Sequence, residues 1–214
     1  MNWFDKKDEK RVMGKVHQLF SVPIIEFKFS KHSQYPLPNF PKGEKNPGKW
    51  QCSLYTTWPE VLPDDELVGD NIIKPLKNDL KIEINQMFDQ LKISKKWDYD
   101  TLWYNYYYDN QGQEKHDHIA PAGRPNSYWS GIYFHTVNNL SPTVFFNPSS
   151  LHKTQQFPKW EESLISSSYW DTWNLYPTDG DVILFPPYLS HFVPPSGNKE
   201  KMRFTFSFNL LLTQ

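Results

Sequence analysis

From Tyr99 to the C-terminus the sequence carries no apolar stripe of helical period. It is a succession of short aromatic and β-branched runs, Leu102 to Tyr108, Ser130 to Thr136, Thr143 to Phe146, Trp173 to Tyr176, Val182 to Phe185 and Arg203 to Leu211, separated by Gly, Pro, Asn and Asp. Runs of this kind form strands, and several of them at regular spacing predict a β-sandwich or jelly roll. Composition agrees, since 17% aromatic residues and 18 prolines favour short strands and many turns over a helical bundle.

The first half holds the one strong exception. Ile72, Ile73, Leu76, Leu80, Ile84, Met87, Phe88 and Leu91 fall at steps of three and four, which describes one apolar stripe on a helix laid against the outside of a sheet. Pro75 is tolerable only in a first turn, so the helix is expected to start at Ile72 or Ile73. Upstream, Leu19 to Phe29 ends in an alternation of Ile25, Phe27 and Phe29 with Glu26 and Lys28 and predicts a strand, residues 31–49 a long surface excursion, and Trp50 to Trp58 a second strand. A chain of 214 residues can bury a substantial core as one domain. The expected organisation is a flexible arm over 1–18, N-terminal strands and a supporting helix over 19–98, and a jelly-roll core over 99–214.

A formal charge of -1 gives no polyanion-binding signature, and the mixed charges from Asp5 to Arg11 fit a solvated arm, so no nucleic-acid partner is expected. The single cysteine, Cys52, excludes an internal disulfide framework and a cysteine-based zinc site; it is expected to be a half-buried strand thiol in a reducing compartment. No apolar stretch approaches the ~18 residues of a membrane span, and the N-terminus lacks a signal-peptide pattern, so a cytoplasmic location without membrane contact is expected.

The chemistry concentrates in Glu114-Lys115-His116-Asp117-His118. If this stretch is extended, His116 and His118 point one way and Asp117 the other. His191 follows the strand-like run that begins at the turn Asp179-Gly180-Asp181, which makes a facial site of three imidazoles plausible. Imidazole suits Fe, Zn, Cu and Ni, and three protein ligands with open positions suit a catalytic metal. The other histidines, His17, His32, His135 and His152, fit surface or satisfied core positions. The run Leu102 to Tyr108 puts Trp103, Asn105 and Tyr107 on one face. The last run puts Arg203, Thr205 and Ser207 on one face and Phe204, Phe206 and Phe208 on the other. An Arg turned into a barrel needs a counter-anion, because a buried unpaired charge is expensive. Its planar fork fits a small dicarboxylate; a protein carboxylate, or an outward position on an edge strand, would satisfy it equally. The polar stretch Asn147 to Asp171 is either a functional lid or an insertion without fixed structure.

In these motifs the sequence resembles the iron(II)/2-oxoglutarate-dependent oxygenases, specifically a bacterial and tailed-phage subgroup. Leu19-Phe20-Ser21-Val22-Pro23-Ile24 and Gly48-Lys49-Trp50-Gln51-Cys52-Ser53 are similar to its opening segments. Trp103-Tyr104-Asn105, His116-Asp117-His118 and Ser130-Gly131-Ile132-Tyr133-Phe134 follow its central block in order. Gly180 to Pro186, His191 with Val193-Pro194, and Arg203 leading to Ser207-Phe208-Asn209 match its closing block.

The resemblance implies a double-stranded β-helix in which His116 and His191 hold Fe(II) and Arg203 pairs with the distal carboxylate of 2-oxoglutarate. Asn105, Tyr107, Tyr133 and Thr205 would line the cosubstrate pocket. Most of the superfamily has His-x-Asp where this chain has His-x-His. Strand alternation favours His118 as the remaining ligand, and a bulge could instead turn Asp117 inward. The implied activity is O2-dependent hydroxylation of a peptidyl or small, amino-acid-like substrate with release of succinate and CO2, by a monomer or homodimer, in the host cytoplasm if phage-encoded. Tyr128, Trp129 and the 147–171 stretch are candidates for substrate contact. Two other readings stay open: a three-histidine dioxygenase that uses no 2-oxoglutarate, and a non-catalytic β-sandwich binding module.

Overall fold

The computed structural model describes residues 22–37, 54–58, 70–93, 96–108, 110–120, 122–125, 127–137, 141–149, 170–195 and 202–213. Their elements in chain order are β1 (Ile25–Lys28), a 3-10 turn (His32–Gln34), β2 (Tyr55–Thr56), α1 (Asp70–Leu91), β3 (Trp97–Tyr107), β4 (Gln113–His116), β5 (Trp129–Thr136), β6 (Thr143–Phe146), β7 (Thr172–Leu175), β8 (Asp181–Phe185), β9 (His191–Val193) and β10 (Arg203–Leu212). They form two sheets, one ordered β1-β8-β5-β10-β3-β2 and the other β4-β9-β6-β7, and every pairing is antiparallel. From β3 onward the chain passes back and forth between the sheets, so β3, β5, β8 and β10 face β4, β6, β7 and β9. This is a jelly roll, the double-stranded β-helix, with β1 and β2 added at the edges of the larger sheet.

The strand β10 divides the molecule. Phe204, Phe206, Phe208 and Leu210 all lie on its outer face, buried in one cluster with Leu76, Leu80, Ile84 and Phe88 of α1. The helix covers this sheet because its stripe and the phenyl row are the two apolar surfaces that water would otherwise contact; each such side chain stabilises by about 1.5–3 kcal/mol on full burial. Gly131 on β5 makes the packing possible, since a Cβ there would stand 2.3 Å from the Phe208 ring. The opposite face of β10 carries Arg203, Thr205, Ser207 and Asn209, all buried between the sheets.

The helix departs from expectation at both ends. It begins at Asp70, which leaves Pro75 in its second turn, where the missing N–H forfeits one bond to the preceding turn. The stripe ends at Phe88, and Leu91 is 48% exposed in the last turn, past the edge of the phenyl row. The turn before β8 is as expected, with Gly180 at φ +89, a conformation that only glycine adopts without strain. Its N–H donates to the Phe134 carbonyl at 2.7 Å and its carbonyl accepts from the Phe29 N–H at 2.8 Å, which ties β8 to its neighbours. The expectations for residues 1–18, 31–49, Cys52 and most of 147–171 fall largely or wholly outside the described residues. No helix among the described residues is long and apolar enough to cross a membrane.

Candidate metal centre and cosubstrate pocket

The histidines sit on β4, β9 and the segment just after β4. A bulge in β4 pairs Gln113 with Val193 but His116 with His191, one residue out of step. The extra residue lies upstream of His116, so simple alternation holds from there: Asp117 is exposed and His118 turns back inward. The His118 N–H donates to the Pro187 carbonyl at 2.8 Å, which fixes that turn. His191 opens β9 directly across from His116. The three imidazoles have centroids 4.3 to 5.5 Å apart, and one ligand atom from each lies within 4.8 Å of the other two. Asp117 is not in this group; its Oδ1 accepts the Ile119 N–H at 3.1 Å in a local turn.

Each imidazole is held through Nδ1. His116 Nδ1 meets the Glu114 carbonyl at 2.8 Å, His191 Nδ1 meets the Leu189 carbonyl at 3.0 Å, and His118 Nδ1 meets Asn209 Oδ1 at 2.9 Å. Carbonyl and amide oxygens only accept, so Nδ1 carries the proton in all three rings and the lone pair is on Nε2, as metal-binding histidines require. Burial lowers all three pKa values: His116 is lowered, His118 is pushed down to about 3 with a further contribution from His116, and His191 lies well below the ordinary range. Phe185 and Phe145 wall the cluster, with ring centroids 4.9 and 5.5 Å from His191. Neutral imidazoles, walled on the His191 side by phenyl rings and open to solvent-accessible space beside His116 and His118, form an electron-pair-donating pocket.

Arg203 lies farther along the same interior and is 1% exposed. Its Nη1 donates to the Ser141 carbonyl at 2.6 Å and its Nη2 to Thr143 Oγ1 at 2.7 Å, while Nε has no partner. The Tyr107 and Phe134 rings stand 5.5 and 5.2 Å from its Cζ. Among the described residues no carboxylate pairs with it, and burial pushes its pKa down to about 10, which leaves it cationic at neutral pH. Its charge reaches His191, where it helps to depress the imidazole. Register places Tyr107 opposite Arg203, Asn105 opposite Thr205 and Trp103 opposite Ser207. Asn105 Nδ2 donates to Ser207 Oγ at 3.2 Å, but Asn105 Oδ1 and Trp103 Nε1 are buried without partners. Tyr107 donates its hydroxyl to Gln113 Oε1 at 2.7 Å.

A cavity of about 350 Å³ opens on this row at its other end, lined by His116, His118, Trp103, Thr101 and Asn209, and at its mouth by Trp58, Asp100, Asp117 and Arg124. Arg203, Asn105 and Thr205 do not line it; they sit deeper along the ladder. Tyr133 belongs to neither place. Strand alternation turns Ile132 and Phe134 inward and Tyr133 outward, where its ring stacks 5.9 Å from Phe206 and its hydroxyl meets His32 Nδ1 at 2.7 Å, so it does not line the interior pocket. Tyr128 and Trp129 also pack outward, against Phe88 at 6.4 and 6.3 Å, rather than towards the cavity. His32 and His135 are satisfied structural histidines; His135 Nε2 donates to the Tyr35 carbonyl at 2.7 Å.

A family model described as "Putative 2OG-Fe(II) oxygenase" matches residues 101–209, half of the chain. The chain belongs to the 2OG-Fe(II) oxygenase family. Fe(II), 2-oxoglutarate and O2 are accordingly what this oxygenase uses. No curated protein matches the oxygenase by sequence. Among solved structures, HygX from Streptomyces hygroscopicus with nickel and 2-oxoglutarate bound is similar at 11% identity over 90% of this chain and 84% of that chain, with a TM-score of 0.52. A prolyl-4-hydroxylase from Pseudomonas putida is similar at 10% identity over 88% and 93%, with a TM-score of 0.47. A 2OG-Fe(II) oxygenase family oxidoreductase from Burkholderia pseudomallei is similar at 13% identity over 59% of this chain, with a TM-score of 0.40, and the oxygenase spans about half, 48%, of its length. At 11% identity the likeness to HygX speaks for the fold alone.

The residues present fit both groups. Three Nδ1-anchored imidazoles offer Nε2 donors suited to Fe(II) with positions left open. A buried guanidinium with an unused N–H and, among the described residues, no carboxylate partner suits a small dianion. Sequence reasoning stopped the polar row at Ser207 and so passed over Asn209, although the same alternation extends to it. Trp58 and Thr101 carried no signal of their own, because their place at the cavity follows only from strand pairing.

Proposed function

We propose that His116, His118 and His191 hold Fe(II), that Arg203 anchors the distal carboxylate of 2-oxoglutarate with Thr205, Asn105 and Tyr107 around it, and that the cavity beside His116 and His118 receives the substrate. The observation that carries this is the inner row itself: a converging set of three neutral imidazoles at one end and a buried, anion-less guanidinium at the other. Bound iron with 2-oxoglutarate and O2 supplies the oxidising chemistry, in which the cosubstrate leaves as succinate and CO2 and a substrate C–H becomes C–OH.

The protein's own contribution is positional. Carbonyls and Asn209 fix the ligand tautomers, Arg203 sets the direction of the cosubstrate by charge, and the Phe145 and Phe185 rings exclude water from the metal's inner side. The substrate proposed is a peptidyl or small, amino-acid-like molecule. A cavity of about 350 Å³ admits a side chain or a compact molecule, and its mouth offers Trp58 and Trp103 for apolar contact and Asp100, Asp117 and Arg124 for charged ends. Asp117 has a place in this mouth rather than on the metal.

Anaerobic titration with Fe(II) and 2-oxoglutarate, followed by visible absorption, tests the reading. A charge-transfer band is expected in wild type, lost in His118→Ala and retained in Asp117→Ala. A band lost in Asp117→Ala and kept in His118→Ala would overturn the ligand set. Iron bound without any band would favour a three-histidine dioxygenase that takes no 2-oxoglutarate.

A further inference from the structure

Two of the three imidazoles are oriented by their own chain. The acceptors for His116 and His191 are carbonyls two residues upstream, Glu114 and Leu189, which the local backbone supplies. His118 differs. Its acceptor is the side chain of Asn209, 91 positions away on β10.

That side chain is itself constrained on both flanks. Asn209 lies directly across from Thr101 on β3 and from Ser130 on β5. Its Oδ1 accepts from Ser130 Oγ at 2.8 Å as well as from His118, and its Nδ2 donates to Thr101 Oγ1 at 3.1 Å. The residue is 6% exposed and sits where the β10 register shifts, between Asn209 and Leu210. A polar row thus crosses three strands and ends on one nitrogen of one imidazole.

We propose that Asn209 is a positioning residue that makes His118 usable as a metal ligand, with Ser130 and Thr101 holding its amide in the required orientation; this rests on the three-histidine site proposed above. A carboxylate ligand needs no tautomer. A histidine does, because a proton on Nε2 would point at the metal and block donation. The opposite orientation of the Asn209 amide would present N–H to His118 Nδ1 and drive the proton onto Nε2. The acceptor on β10 is therefore the added part that a histidine at this position requires, and loss of such an outer partner typically weakens metal binding by about 10–100-fold.

The test uses the full-length protein loaded with Co(II), which makes ligand protons visible by paramagnetic proton NMR. Wild type is expected to give three solvent-exchangeable, hyperfine-shifted Nδ1–H signals, one per imidazole. Asn209→Leu, and Asn209→Ala as the variant without added bulk, should each retain two and bind Co(II) about 10–100-fold more weakly, whereas Asn209→Asp, which can only accept at this position, should retain three. Thermal denaturation of the metal-free variants identifies any that fail to fold. Three signals and wild-type affinity in Asn209→Leu or Asn209→Ala would overturn the inference, as would loss of the signal in Asn209→Asp. Two signals in wild type would overturn it while leaving the metal site standing; none in wild type would overturn both.

Discussion

The two faces of β10 use alternate residues of one strand for opposite ends. On the outer face Phe204, Phe206, Phe208 and Leu210 meet the α1 stripe, and burial of apolar surface stabilises the fold. On the inner face Arg203, Thr205, Ser207 and Asn209 are buried too, yet Arg203 Nε lacks a partner and so do two atoms of the neighbouring strand β3, Asn105 Oδ1 and Trp103 Nε1. Unsatisfied buried polar atoms are destabilising, by about 1–3 kcal/mol each. A strand that contributed only stability would not carry them. The contrast teaches that in this oxygenase burial alone does not separate core from site; the completeness of hydrogen bonding does.

The largest effect that would break this division is on the outer face. Phe206→Ala removes a ring buried between sheet and helix and should lower stability by about 3–5 kcal/mol, measured by urea denaturation, with the 2-oxoglutarate affinity of the folded protein unchanged. On the inner face the pattern should reverse. Arg203→Met leaves the Ser141 carbonyl and Thr143 hydroxyl without their donor but also removes a desolvated cation, so the cosubstrate-free protein should melt within a few degrees of wild type. Calorimetric titration should then show 2-oxoglutarate binding weakened at least about 100-fold, the equivalent of two charge-assisted hydrogen bonds at ~1.5 kcal/mol each. Unfolding of Arg203→Met together with loss of cosubstrate affinity in Phe206→Ala would mean that the faces do not divide the two tasks.

Much of this contrast was legible in the sequence, because side-chain direction in a strand has a period of two and any unbroken run reports it. Arg203 to Phe208, Trp103 to Tyr107, and His116 to His118 were placed on the correct faces by alternation, and the α1 stripe from Leu76 to Phe88 by its steps of four. What alternation could not supply was which face of β5 looks inward. Tyr133 was assigned to the pocket through resemblance, but Ile132 and Phe134 occupy the inner face and Tyr133 the outer. Extension at Glu114 to His118 could be supposed but not read from a period, the bulge in β4 was not legible, and β9, with three residues, is too short to show a period at all. Asn209 escaped because its role depends on a contact 91 residues away.

The smallest expected effects give the sharpest test of the two faces, since they remove a single oxygen from each. Tyr133→Phe deletes the hydroxyl that meets His32 Nδ1 at 2.7 Å on the outer face, and His32 is on the surface turn where water can replace it. A loss of about 0.5–1.5 kcal/mol in stability is expected, with no change in cosubstrate affinity. Tyr107→Phe deletes the hydroxyl that donates to buried Gln113 Oε1 at 2.7 Å, beside the guanidinium of Arg203. It should cost a similar amount of stability and in addition weaken 2-oxoglutarate binding several-fold, because the Tyr107 ring that stands against the Arg203 guanidinium loses the bond that anchors it. Equal cosubstrate affinities in the two variants would place the pocket elsewhere on the inner face, while a loss confined to Tyr133→Phe would put the cosubstrate on the side of the sheet that α1 covers.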